Sequence, residues 1–235
     1  MEVSKVGPPV NRLLSALSRA DAARLSSSLK VVSLELGSLL TEPGDEVANI
    51  YFPHTGMVSL LAVMRNGSAI ETATIGPEGV VGAMAAFGPH VTLTRAVVQA
   101  PLITSRIPAP AFRKAVRASS SLRELVTRSN EALLAQVQMT AACNALHPID
   151  ARLARWILQT RDRIAGDAIQ LKHELLSEML GVRRSSVSEV AKRLQAANLI
   201  TYSRGVIRIV DRKALERATC ECYATIKQRT EQIMK

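Results

Sequence analysis

Aromatic residues are scarce. Phe, Trp and Tyr together make up 3% of the 235 residues, and there is one Trp. Proteins that stack unpaired bases need aromatic platforms, so recognition of single strands by stacking is disfavoured. The same shortage leaves no basic amphipathic helix with aromatic anchors, which argues against a membrane surface as partner. Cysteine is rare too. Cys143, Cys220 and Cys222 are too few for a disulfide framework. As a metal or redox site they are one ligand short, because a tetrahedral site needs four and a single Cys-x-Cys is a weak pattern. Small residues on a terminal helix is the simpler reading, and no metal site is expected. No run of about 18 apolar residues occurs. The N-terminal MEVSKVGPPVNRLL has neither an apolar core nor a small-residue cleavage site, so a cytoplasmic chain is expected. Also missing are a Gly-rich phosphate loop with Lys-Ser/Thr, a nucleophile elbow and paired metal-ligand spacings; no enzyme chemistry is expected.

What is present is positive charge, unevenly placed. The formal net charge is +10. Residues 147–235 hold 17 Lys/Arg against 10 Asp/Glu, a net of +7, whereas residues 1–146 hold 13 against 10, a net of +3. A basic C-terminal part is the electrostatic footprint of a nucleic-acid binder.

Within that part, His173–Ile200 reads as helix, tight turn, helix. Leu175, Leu176, Met179 and Leu180 give the first segment an apolar face; Val187, Val190, Ala191 and Leu194 do so for the second. Gly181 stands at the turn, where a positive φ carries no Cβ penalty. The second helix starts on Arg183, Arg184, Ser185 and Ser186 and continues with Ser188, Glu189, Lys192 and Arg193 on its outer side. A short helix with one apolar face and a polar, cationic first half suits the major groove of DNA. A plain helical hairpin with solvated charges is the competing reading. Two β-rich runs follow, 199–202 and 206–210, with Ser203-Arg204-Gly205 between them, which is a hairpin signal. A basic hairpin directly after two such helices makes a winged helix, with Arg204 and Arg208 in reach of phosphates.

Upstream, Asn11–Leu29 has helical spacing, with Asp21 as a cap for a second piece. From Val31 to Ile107, short β-rich runs alternate with turn chemistry such as Glu42-Pro43-Gly44-Asp45, His54-Thr55-Gly56 and Asn66-Gly67, the pattern of a β-roll or barrel. Val80–Phe87 suits a short helix. Pro108–Ala118 reads as helical, and Ser121–Leu146 as one long helix. Along it Leu122, Val126, Ser129, Leu133, Val137 and Thr140 recur in steps of three and four, with Leu125 and Leu134 beside them. That spacing serves a two-stranded coiled coil or packing within the chain; a homodimer is expected, because DNA readers of this kind work as two-fold pairs. Asp150 is placed to cap a helix over Ala151–Ile164. A strand at Ala168–Leu171 leads into the motif, and a last helix runs from Asp211 to Lys235.

In this order the chain resembles the Crp–Fnr family of bacterial transcription regulators. The resemblance rests on Asp150-Ala151-Arg152-Leu153-Ala154-Arg155-Trp156-Ile157-Leu158 and on Leu176 through Val187, with Gly37, Gly44 and Gly56 in the roll. It implies an α+β chain: a jelly-roll-like, cyclic-nucleotide-binding-like sensor over 11–118, a dimerisation helix over 119–146, and a winged helix–turn–helix over 147–235. It further implies base contacts from Arg184, Ser185, Ser188 and Glu189. Ser177, Arg183, Ser186, Lys192, Arg193, Arg204 and Arg208 are then phosphate contacts, which set position rather than sequence. Double-stranded DNA is the implied partner, and RNA polymerase a further candidate. The family's cyclic-nucleotide cassette departs here. Ala83, after Gly82, stands where a ribose-binding Glu is expected, and Thr94 stands near the phosphate-binding Arg, with Arg95 one residue on. Arg95 serves only if the register slips by one, which turns its side chain to the other face. Gly82, Ala83, Thr94, Arg95, Val137 and Gln138 mark the candidate effector pocket. Cyclic nucleotide is disfavoured, no cofactor is expected, and an unidentified effector stays open. Iron–sulfur relatives need cysteines that residues 1–142 lack; haem relatives use a roll histidine, for which His54 and His90 are candidates in loops. The alternative function is a cyclic-nucleotide-responsive module acting on a protein partner.

Overall fold

The computed structural model describes residues 11–164, 166–171 and 173–233. Residues 1–10 and the last two residues of the expected terminal helix lie outside them. The chain opens on two short helices, α1 (Arg12–Ser15) and α2 (Arg19–Ser26). Ser18 caps α2 by accepting from Asp21 N at 3.1 Å. The expected cap, Asp21, instead sits inside the first turn, where its carboxylate accepts from Ser18 Oγ at 2.9 Å and from Ser121 Oγ at 2.7 Å.

Five antiparallel strands build the roll: β1 (Lys30–Leu34), β2 (Leu39–Thr41), β3 (Asn49–Val63), β4 (Ala69–Ile75) and β5 (Thr94–Pro108). Their order is β1-β5-β3-β4, with β2 also on β5. Asn66-Gly67 makes the β3–β4 turn, as its chemistry predicts; Met64 N bonds Ser68 O at 2.8 Å. His54-Thr55-Gly56 is not a turn. It is a bulged stretch inside β3, where the pairing with β5 shifts register on both sides of Thr55. Gly56 has φ 88°, and a Cβ there would stand 2.2 Å from Pro101 O, so the bulge needs glycine. The expected helix at Val80–Phe87 is a single 3₁₀ turn, Ala83–Ala86, entered through Gly82 at φ 82°.

The roll closes on α3 (Ala109–Arg117) and the long α4 (Ser120–Leu146). Ile50, Phe52, Ile107, Phe112, Leu122 and Val126 share one core, and Phe52 meets Phe112 edge to face at 5.6 Å between centroids. This corrects the expected dimer stripe. Leu122, Val126, Ser129 and Thr140 are buried within their own chain. A stripe of threes and fours says that a helix has an inner face, not what covers it.

The C-terminal head comprises α5 (Ile149–Arg161), β6 (Ile169–Gln170), α6 (His173–Leu180), α7 (Arg184–Ala196), β7 (Ile200–Ser203), β8 (Val206–Ile209), α8 (Arg212–Ala218) and α9 (Cys222–Ile233). The expected final helix is thus two helices, broken at Thr219–Glu221. Asp211 does start the first, accepting from Ala214 N at 2.9 Å. Helix α5 begins two residues earlier than expected, after Pro148, and Asp150 lies in its first turn rather than at the cap.

A second core joins roll and head: Met57 and Leu61 of β3 pack with Trp156 and Ile157 of α5 and Leu176 and Met179 of α6. Around it runs a buried polar seam. Ser59 Oγ donates to Glu71 Oε2 at 2.6 Å and Trp156 Nε1 donates to the same oxygen at 3.3 Å. Arg163 donates to Glu78 and Thr74 at 2.8 and 2.7 Å, and its carbonyl accepts from Gly56 N at 2.9 Å. Among the described residues no helix is long and apolar enough to cross a membrane.

Candidate nucleic-acid interface

Helix α6 ends in a Schellman turn. Val182 N bonds Ser177 O at 3.0 Å and Gly181 N bonds Glu178 O at 3.2 Å, with Gly181 at φ 61°. Helix α7 ends the same way through Asn198 at φ 56°, with Leu199 N on Leu194 O at 3.0 Å. Two tight stops of this kind fix α7 against α6. Val187, Val190, Ala191 and Leu194 of α7 are buried. At 100° per residue Ser185, Glu189 and Lys192 lie opposite that stripe, Ser188 lies beside them, and Arg184, in the first turn, lies at the stripe's edge. Arg184, Ser185, Glu189 and Lys192 are exposed and Ser188 is half-buried, its hydroxyl donating to Arg184 O at 3.2 Å. Three of the four expected base-contacting residues, Ser185, Ser188 and Glu189, therefore share one outward face, and Arg184 is exposed at the start of the helix beside it.

The expected phosphate contacts are distributed around that face. Arg183 is the exposed N-cap residue of α7, Ser186 and Ser177 are half-buried at its flank and on α6, and Lys192 is exposed. Arg193 departs from expectation. Its Nε and Nη2 donate to the two Asp150 oxygens at 2.7 and 2.8 Å, so it fastens α7 to α5. These hydrogen bonds hold the Asp150 carboxyl below the usual carboxylate range. The wing is a two-residue hairpin, Arg204 and Gly205 both at positive φ (51° and 75°), the type I′ geometry that matches strand twist. Arg204 at its tip and Arg208 on β8 are exposed. The expected strand at Ala168–Leu171 is present as β6, but sequence reasoning missed that it pairs with β8, making the wing a three-stranded sheet in the order β6-β8-β7; a strand's pattern does not name its partner.

Between roll and α4 lies a mainly apolar cavity of about 390 Å³. Gly82, Ala83, Thr94 and Val137 line it, as expected of the effector pocket. Gln138 is exposed on α4 and does not. Arg95 faces away: its Nε lies 3.0 Å from both Glu42 oxygens and its Nη1 3.6 Å from Glu178 of α6. Among the described residues the lining contains no Arg, Lys, Asp or Glu; its titratable members are His90 and the Tyr51 phenol. His54 is not in a loop. It is buried in β3, with Nδ1 accepting from Asn11 N at 3.3 Å and Nε2 meeting Ser105 Oγ at 2.8 Å, so both ring nitrogens are engaged.

The three cysteines are buried and form no disulfide with one another. They meet where α4 ends and α8 gives way to α9, and His147 joins them.

Residues 31–119 match the cyclic nucleotide-binding domain family, and residues 151–218 match the Crp-like helix-turn-helix domain. The global nitrogen regulator of Synechococcus elongatus is 22% identical over 215 residues, 87% of this chain and 96% of its own. Among solved structures, FixK2 of Bradyrhizobium japonicum aligns with a TM-score of 0.69 at 15% identity, over 82% of this chain and 98% of that one. A CRP/FNR-family transcriptional regulator of Thermus thermophilus aligns at 0.65 and 22% identity, over 80% and 97%. Likeness at these identities speaks for the fold; the two matched domains, in this order and joined by α4, speak for the lineage. The protein belongs to the Crp–Fnr family of transcription regulators.

Proposed function

We propose that the chain is a homodimeric, sequence-specific DNA-binding regulator that lays α7 in the major groove and does not use a cyclic nucleotide. The observation that carries the reading is the outward side of α7, where Ser185, Ser188 and Glu189 stand away from four buried apolar residues and Arg184 is exposed at the helix start. Arg184 reads guanine or grips phosphate, and Glu189 accepts from cytosine or orients Arg184. Arg183, Lys192, Arg204 and Arg208 supply phosphate contacts on either side.

Dimerisation is supported by a second stripe on α4. Thr127, Glu131, Leu134, Gln138, Ala141 and Ala145 are all exposed and recur in steps of four and three, as a helix pair requires. Against a cyclic nucleotide stand the cavity's want of a cation and the engagement of Arg95 elsewhere, since a cyclic phosphate needs a positive partner or a backbone nest.

Anisotropy titration of the purified, ligand-free protein on its own upstream DNA, with random DNA as competitor, tests this. The expected result is a steep salt dependence and a preference of roughly 10³ or more for the specific site. Equal affinity for both DNAs, unchanged by cyclic nucleotide, would sink it.

A further inference from the structure

The long helix α4 stops because Pro148 follows it, and its last turn carries Cys143 and His147, one turn apart on the same side. The break between α8 and α9 brings Cys220 and Cys222 to that side. Cys143 Sγ lies 3.5 Å from Cys220 Sγ, and Cys222 Sγ lies 3.5 Å from His147 Nδ1. The four donor atoms all lie within 4.8 Å of one another. A tetrahedral zinc-type ion with metal–sulfur bonds near 2.3 Å holds its ligand atoms about 3.5–3.8 Å apart, so the four need only small adjustments.

The surroundings point to a ligand as well. The other ring nitrogen of His147 lies 3.3 Å from a Glu221 oxygen, the outer carboxylate that orients a metal-bound imidazole and fixes its tautomer. Beside the cluster, Arg152 is 6% exposed; its Nη2 donates to Leu180 O and its Nε has no partner among the described residues. A buried guanidinium with no carboxylate partner among the described residues calls for negative charge nearby. Three thiolates, a neutral imidazole and a divalent ion together carry one negative charge, which Arg152 balances.

We propose that Cys143, His147, Cys220 and Cys222 form a Cys₃His site for a thiophilic divalent metal of the zinc class. The ligands come from both sides of the α4–α5 joint, so the ion ties the head's C-terminal helix to the end of α4. Binding is ligand exchange without redox change: three thiol protons go to solvent as the metal enters.

The test uses the full chain, reduced and stripped of metal with a chelator, and titrated with Co²⁺. One Co²⁺ per chain, with intense visible bands of tetrahedral sulfur coordination that one equivalent of Zn²⁺ bleaches, is the expected result. Cys222→Ser is expected to abolish those bands, with circular dichroism checking that it folds. Glu221→Gln changes an exposed group and leaves all four ligands; it is expected to weaken Co²⁺ binding tenfold or more. Wild-type protein that takes up no stoichiometric Co²⁺, or shows the same bands after Cys222→Ser, overturns the site. So does a Cys143–Cys220 disulfide in protein isolated without added oxidant. Unchanged affinity in Glu221→Gln removes Glu221 from the site.

Discussion

Arg184 and Glu71 show how differently single residues can be judged. Arg184 was legible in the sequence, because an arginine at the start of a helix with its apolar face elsewhere has to point outward. Arg184→Ala is expected to cost about 1–3 kcal/mol on the specific DNA if the side chain reads a base. Titration on specific and random DNA checks this, since an equal loss on both assigns it to phosphate. Glu71 was illegible, one acid in an ordinary strand. Burial pushes its carboxyl above the usual glutamate value, against the opposing pull of Ser59, Arg155 and Trp156. A group whose pKa is higher in the fold than in the unfolded chain stabilises fully below its unfolded value and loses that contribution as pH rises through its folded value. Glu71→Gln keeps an acceptor for Ser59 and Trp156 without the charge. Its stability relative to wild type should therefore climb as pH rises above the ordinary glutamate range. Urea unfolding of both proteins at several pH values checks the slope; a flat or falling difference contradicts the raised carboxyl.

At the scale of elements, the α6–α7 turn was readable from one glycine, but the reason it tolerates nothing larger was not. Gly181 is left-handed, and a Cβ there would stand 2.7 Å from Ile70 Cδ1 on β4. Gly181→Ala is expected to destabilise the protein, with about 1–2 kcal/mol from the backbone alone. In the Ile70→Ala background the extra cost of the clash should vanish while the backbone part remains, a double-mutant cycle readable by urea unfolding. Helix α4 gives the opposite lesson. Its length was plain from the absence of Pro and Gly, yet the stripe Leu122–Thr140, open in the sequence to a partner or to the chain itself, turns inward, with Leu122, Val126 and Leu133 on the roll. Substituting the outer stripe tests the reassignment: Leu134→Glu should shift the protein towards monomer in sedimentation at unchanged unfolding stability.

Across the whole molecule, the head rests against the roll through Trp156, the Glu71 seam and the Arg95–Glu178 pair at 3.6 Å. The pair is partly exposed and worth at most about 1 kcal/mol, so it steers the resting position more than it holds the fold. The protein's one tryptophan is 1% exposed at this boundary and reports on it. If the heads must swing from the rolls to meet half-sites one helical turn apart, specific DNA should red-shift Trp156 emission and raise its quenching by acrylamide. Arg95→Gln should lower the DNA concentration at which this happens. Emission unchanged by saturating DNA means that the head reads DNA from its resting position.

In the sequence by itself, local pattern carried most of the elements and their order, but missed the split of the last helix, the strand through His54-Thr55-Gly56 and the single turn at Ala83–Ala86. Periodicity, glycine at obligatory turns and caps are local properties, and the reading helix, the wing and the absence of a cassette arginine all follow from them. Only the tertiary structure decided what meets what: the face of α4 that turns inward, the pairing of Arg193 with Asp150, the outward turn of Arg95, and the arrival of His147 as a fourth ligand beside three cysteines up to 79 residues apart. Burial, charge pairing and coordination depend on distances between remote segments, and the packing of the chain sets those distances.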